Sequence, residues 1–373
     1  VGISDTLADD YVARGVNLLR FEAGERKKIL AILWELEDDL IAKLAAIDPS
    51  APLRADSRRN RLEKLLKEVR ATIATSYQSM GTSSAAGLRG LAKAEAGWVA
   101  GAINGAAGLQ IMDSVLTAES LRAIASNALI EGAPSKEWWK RQGEGLTRKF
   151  SDEIRTGMSS GEGLGDMVRR IRGKATGRRH KYINAAGKEQ WYVEFKGGIM
   201  DTGTRQANAL VRTSVQQVAA DARREMYQAN SDIVKGIQQI STLDGRTTDI
   251  CMAYSGATWN LDYEPIMGNS LPYKGGVPRH FQCRSSEQPI LKSFRDLGVD
   301  IDEIPPSTRA SMDGQVAEDL SFDDWLDGKD AAFQDKMLGK GRAKLYRDGK
   351  ITLTDLVDQH GNPLTLEELE ANP

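Results

Sequence analysis

The stretch Ile233–Asp244, IVKGIQQISTLD, divides this chain. Its β-branched residues and short length read as a strand that runs into a turn. The residues before it have the texture of helices, and those after it are rich in turns. On the N-terminal side, Gly24–Ser50 reads GERKKILAILWELEDDLIAKLAAIDPS, with Ile29, Leu33, Leu36, Leu40, Leu44 and Ile47 at spacings of three and four. That is one apolar stripe on a helix. Asp48-Pro49 is expected to end it, because proline lacks the N–H that the ladder needs. Asp56–Met80 repeats the pattern with Leu62, Leu65, Leu66, Val69, Ile73 and Tyr77, and Asp56 or Ser57 is its expected cap. Ala85–Gly108, AAGLRGLAKAEAGWVAGAINGAAG, is dominated by small residues. Each Gly there costs about 1 kcal/mol against Ala, so close packing on a neighbour is expected. Further helices are expected over Thr117–Ile130, Ser135–Thr156, Glu162–Arg172 and from Asp201 to Asn230.

One segment interrupts the helices. It opens with Arg169, Arg170, Arg172, Lys174, Arg178, Arg179 and Lys181, with no acidic residue among them. It continues as KYIN, a Gly-containing turn and QWYVEF, which predicts a hairpin within 173–198. The run reads either as a solvated insertion or as an arm for DNA phosphates or a partner's acidic rim. Phosphate contacts carry no sequence information, so any such binding is expected to be non-specific.

The fold class expected is α+β, mainly α. A long helical region (1–230, with the hairpin insertion) precedes a small compact α+β module (231–295) and a C-terminal extension of short helices and turns (296–373). The extension ends with a capping box, Thr365 to Glu368. The formal net charge of −2 provides no global field toward nucleic acid. No apolar run is long enough to cross a bilayer, and no signal core is visible near the N-terminus, so cytoplasmic synthesis is expected. Two cysteines in 373 residues exclude a disulfide scaffold.

Those two cysteines lie in STLDGRTTDICMAYSGATW, Ser241–Trp259, and GGVPRHFQCRSSEQP, Gly275–Pro289. Cys251, His280 and Cys283 are soft donors suited to a tetrahedral zinc, with Asp244, Asp249 or a water as a fourth ligand. A Cys251–Cys283 disulfide or redox pair, and two packed thiols, are the other readings. A Cys283–His280 nucleophile pair is disfavoured, because three residues apart on a loop seldom gives the needed geometry. A zinc-dependent hydrolase or nuclease would need a general base, and no H-x-E or H-E-x-x-H motif is present. Asp244, Arg246 and Thr247 are expected to form a structural polar knot, with Arg246 able to fork onto a carboxylate.

These residues also carry a resemblance. TLDGRTTDIC at Thr242–Cys251, Gly256, Pro278, HFQCRS at His280–Ser285 and Pro289 are similar to the signature of the phage Mu F-like head-morphogenesis family. ALVRT at Ala209–Thr213, GEGLGDMVRRIRG at Gly161–Gly173 and the C-terminal Phe333–Leu369 resemble further parts of it. Many relatives carry Cys-x-x-Cys where this chain has Thr248 and Cys251, so the first cysteine of a four-ligand set is replaced here. Arg284 belongs to the same motif. The resemblance implies a minor capsid protein of a tailed bacteriophage, located in the virion near the portal vertex. Its implied role is in head assembly, DNA packaging or genome delivery. The implied partners are the portal protein, the major capsid protein or scaffold, and packaged double-stranded DNA. Assembly would take place in the host cytoplasm.

Overall fold

The computed structural model describes residues 7–46, 55–113, 116–130, 132–160, 162–281, 283–293, 295–298, 308–317 and 319–371. Ile47, the helix stop expected at Asp48-Pro49 and the side chains of Asp56 and Ser57 lie outside the described residues. In chain order the elements are α1 (Ala8–Ala45), α2 (Ala55–Ala107), α3 (Ala118–Asn127), β1 (Leu129–Ile130), β2 (Ala133–Pro134), α4 (Ser135–Ser159) and α5 (Leu164–Arg172). Then come β3 (Gly173–Ile183), β4 (Glu189–Gly197), α6 (Ile199–Ala229), β5 (Val234–Ile240), α7 (Asp249–Ala253), β6 (Thr258–Asn260) and β7 (Ser286–Leu291). The chain ends with β8 (Thr308–Ser311), β9 (Gly314–Ala317), α8 (Phe322–Asp327), α9 (Ala331–Leu338), α10 (Lys340–Arg347) and α11 (Leu366–Ala371). The fold is α+β and mainly α, with its strands in small sheets. Among the described residues no helix is long and apolar enough to cross a membrane.

The chain forms two compact units, and neither is continuous in sequence. One comprises Val1–Leu19, Leu91–Ile124 and Gln216–Pro373; the other comprises Arg20–Gly90 and Ala125–Val215. Helices α1, α2, α3 and α6 each contribute a segment to both.

The second unit is built on the stripes read from sequence. Ile29, Leu33, Leu36, Leu40 and Leu44 of α1 are all buried, and they share a core with Leu65, Val69, Ile73 and Tyr77 of α2. Each such side chain contributes about 1.5–3 kcal/mol by leaving water. Trp139, Leu146, Phe150 and Ile154 of α4 complete that core with Leu210 and Val211 of α6. In the Gly-rich part of α2, the expected close packing occurs in this unit at Gly87, where a Cβ would collide with the Glu25 carboxylate. Gly90, Gly97, Gly101 and Gly105 face open space. The helix expected over Thr117–Ile130 stops at Asn127. Leu129 and Ile130 instead pair with Pro134 and Ala133 across a turn in which Gly132 adopts φ +79°. A left-handed residue suits that turn and ends the helical periodicity.

The hairpin is present as β3 and β4, with His180 opposite Tyr192 and Lys181 opposite Trp191. Period-two alternation separates its faces. On one face Tyr192 stacks on Trp34 of α1 at 4.6 Å, and its hydroxyl donates to Glu37 Oε2 at 2.9 Å. On the other, Arg179 lies 5.1 Å over the exposed Trp191 ring, beside exposed Lys181 and Val193.

The first unit centres on an antiparallel sheet of order β6-β5-β7. Fully buried Trp259 of β6 packs edge-on against Tyr273 at 5.3 Å. Glu95 of α2 is buried and held by Arg14 and Arg223. Glu287 of β7 is buried too, accepting from Arg224 Nη1 (2.8 Å), Tyr273 Oη (3.0 Å) and the Val277 N–H (3.1 Å). The capping box of α11 forms in both directions, with the Thr365 N–H on Glu368 Oε2 and the Glu368 N–H on Thr365 Oγ1.

Candidate metal centre

Cys251 sits in the middle of α7, and Cys283 on the loop that leads into β7. The Cys283 N–H donates to the His280 carbonyl at 3.1 Å, closing a turn that brings the histidine back over the thiols. The three side chains converge. Cys251 Sγ lies 3.6 Å from Cys283 Sγ and 3.3 Å from His280 Nε2. Both cysteines are free and buried, and the histidine is half-buried. All three donor atoms fall within 4.8 Å of one another, so the group can hold a metal ion.

The histidine is oriented for that task. Its Nδ1 is 2.8 Å from the Phe281 carbonyl, which only accepts. Nδ1 therefore carries the proton, and Nε2 turns its lone pair toward the sulfurs. Between the thiols, the hydrogen bond from Cys251 to Cys283 raises the Cys251 pKa, and burial adds to it. The same bond holds Cys283 well below the ordinary thiol value, against burial and with help from His280.

Thr248 occupies the N-cap position of α7, yet its side chain makes no capping bond. A threonine there ordinarily accepts from the first turn's N–H groups. Its Oγ1 instead lies 3.0 Å from His280 Nε2, on the exposed side of the group. Thr248 is thus in contact with the group. Neither aspartate offered as a fourth ligand is free for that role. Asp244 is forked by Arg284 at 2.5 and 2.7 Å, and Asp249 is held by Arg342 at 2.5 Å.

The polar knot forms, with one change of partner. Asp244 Oδ1 accepts from the Arg246 backbone N–H at 2.9 Å, and Thr247 Oγ1 donates to the Thr242 carbonyl at 2.6 Å. The guanidinium that forks onto Asp244 belongs to Arg284, while the Arg246 side chain is exposed. Burial would raise the Asp244 pKa, but Arg284 and the Arg246 N–H outweigh it and hold the carboxyl below its ordinary value. The bond from Asp244 to Arg284 ties the Cys251 segment to the Cys283 segment a second time. Sequence reasoning missed a further layer. Arg279 lies 3.5 Å over the Tyr254 ring and donates to Gln239 Oε1 at 2.6 Å. Ser241 Oγ donates to the Cys251 carbonyl at 2.7 Å and meets Ser285 Oγ at 3.0 Å. The position of Arg279, just before the His-x-x-Cys turn, was the only available signal for it.

The seven cations before and within the hairpin are not alike. Arg170 pairs with Glu153 and Glu162, Arg172 with Glu37 and Asp38, and Arg169 with Asp166. The picture of seven cations without carboxylates is corrected accordingly: α1, α4 and the residues around α5 supply them. Lys174, Arg178, Arg179 and Lys181 are exposed on β3. Of these only Lys181 is in an ion pair among the described residues, with Glu189.

Comparison of the chain with protein-family models, with curated proteins and with solved structures finds no match.

Proposed function

We propose that Cys251, His280 and Cys283 hold a structural zinc ion, and that the chain is a minor head protein of a tailed bacteriophage. In this reading it is a virion component at the portal vertex, acting in head assembly, DNA packaging or genome delivery. One observation carries the reading. The motif residues of the resemblance, more than thirty positions apart, meet as a single constellation in which Asp244 forks with Arg284 while Cys251 meets Cys283 and His280. A motif whose parts support one another in space behaves as a unit of fold.

The donor set fits zinc. Two Zn–S bonds of about 2.3 Å at the tetrahedral angle place their sulfurs about 3.8 Å apart, and one Zn–S with one Zn–N bond gives about 3.6 Å. The observed separations are 3.6 and 3.3 Å. The remaining corner lies toward Thr248, where its hydroxyl or a water completes the set. When bound, the ion cross-links α7 to the His-x-x-Cys turn, and metal binding then adds directly to folding free energy. For a hydrolytic role, the two aspartates closest to Cys251 in the motif are each held by an arginine and so are poorly placed as a general base.

In the same reading the portal protein, with the major capsid protein or scaffold, is the protein partner. The strand β3 contacts packaged DNA or an acidic portal surface through the exposed Lys174, Arg178, Arg179 and Lys181. Mass spectrometry and cryo-microscopy of heads from the phage encoding this chain test the assignment. A few copies confined to the portal vertex are expected. Absence from heads, or even distribution over the shell, would overturn it.

A further inference from the structure

A groove lies between α2 and α4, wholly within the second unit, and its volume is about 1020 Å³. The helices pack antiparallel around two glycines. A Cβ on Gly143 would come within 3.1 Å of the Tyr77 ring, and one on Gly81 within 3.4 Å of the Trp139 ring. The contact runs from Tyr77 to Gly81 on α2 as it runs back from Gly143 to Trp139 on α4. The groove therefore pairs Arg89 with Lys136 at one end and Arg70 with Arg148 at the other, with Lys140 between. All five cations are exposed, and none is in an ion pair among the described residues. Glu144 is the single acid on the lining.

Beside the cations the lining carries an aromatic wall. Tyr77 and Trp139 are 3% and 2% exposed, and both rings line the groove. Tyr77 Oη and Trp139 Nε1 are buried without a hydrogen-bond partner. The Tyr77 hydroxyl lies against Gly203 of α6, so the groove meets the aromatic rings and not their polar atoms. Burial keeps the Tyr77 hydroxyl above its ordinary pKa of 10.0, so it is a donor at neutral pH. The rest of the wall is small: Ala74, Gly81, Thr82, Ala85 and Thr147 leave room for side chains from outside.

We propose that this groove is a docking site for an acidic amphipathic helix of a partner protein. Length favours a helix over a small molecule. Arg70 to Arg89 spans about 28 Å of α2 and Lys136 to Arg148 about 18 Å of α4 at 1.5 Å per residue. An apolar stripe at i, i+3, i+4 and i+7 fills such a trough, and flanking carboxylates meet the cations at both ends. Duplex DNA would satisfy the cations but not the recessed aromatic wall. The inference does not depend on the metal centre.

The test uses the full-length protein and a synthetic peptide of about four helical turns, with Leu on the stripe and Glu elsewhere. Its scrambled isomer has the same charge and no stripe, and a short duplex of arbitrary sequence is the third probe. Calorimetry is expected to show the peptide binding at least tenfold more tightly than its isomer. Joint Arg89→Glu and Lys136→Glu replacement, both on the surface, should weaken it at least tenfold. Tyr77→Phe keeps the ring and should leave the affinity within about twofold, because the hydroxyl faces Gly203 of α6. The same substitution removes a stranded hydroxyl, so the free protein should be no less stable. Equal binding of peptide and isomer would overturn the proposal. So would binding of duplex that depends on Arg89 and Lys136 while the peptide fails, or an unchanged affinity in the Arg89→Glu, Lys136→Glu variant.

Discussion

Replacing Glu287 by Ala should lower the stability of the first unit more than any surface change in the chain. Its side chain is fully buried, and its partner Arg224 is 10% exposed. Removing one member of a buried pair costs about 3–5 kcal/mol, because the remaining charge is stranded. Asp221 also contacts Arg224 and keeps part of that loss in check. The Tyr273 hydroxyl and the Val277 N–H lose their acceptor as well, at about 1–3 kcal/mol each if they stay dry. Contributions within one network do not add, so a total of about 4 kcal/mol is expected. Glu287→Gln keeps an acceptor of the same shape and should cost about half as much. Native-state hydrogen exchange at the β5 and β7 amides reads this unit separately from the other. Because Val277 lies three residues before His280, the Ala variant should also bind metal more weakly. A change under about 1 kcal/mol in both variants would refute the reasoning, since the carboxylate would then not organise the loop.

Three further outcomes are expected. Thr248→Cys supplies a third thiolate at the exposed corner and should raise zinc affinity at least tenfold, read by competition with a chelator; unchanged affinity would place Thr248 outside the coordination sphere. The folded-state pKa of Asp244 is depressed, so its stabilisation is complete above the ordinary value of 3.8 and is lost as pH falls below that toward the folded value. The stability gap between wild type and Asp244→Asn should therefore close on the acid side, and a gap independent of pH would contradict the Arg284 fork. Arg172→Ala strands buried Glu37 and should cost about 2–4 kcal/mol, whereas Lys174→Ala should change stability by less than about 0.5 kcal/mol; equal effects would mean that the two cations are equivalent after all.

What was legible in the sequence was whatever repeats locally. The stripes Ile29–Leu44 and Leu62–Tyr77, the strand at Val234–Ile240, the hairpin and the Thr365 capping box all rest on spacings of two to four residues, and all are present. Partners brought together by the fold were not legible. Arg284 rather than Arg246 forks onto Asp244, because the His-x-x-Cys turn returns to the Asp244 turn forty residues later. The carboxylates that hold Arg172 come from α1, more than 130 positions away. The division into units was hidden for the same reason: four continuous helices, α1, α2, α3 and α6, each serve both, so no change of texture marks the boundary. Leu129 and Ile130 matched a helical stripe, but the left-handed Gly132 turned them into a strand. In the candidate site, the donor types and the His-x-x-Cys turn could be read directly. The diverted hydroxyl of Thr248 and the clamp of Arg279 on Tyr254 required the coordinates.

The metal content of the purified protein tests the central claim most directly. The chain should be prepared without added metal and measured by elemental mass spectrometry beside a Cys283→Ser variant. The account predicts one zinc per wild-type chain, a large loss in the variant, and a lower melting temperature for wild type after chelation. A metal-free wild-type protein with two freely titrating thiols and a melting temperature indifferent to chelator would contradict it.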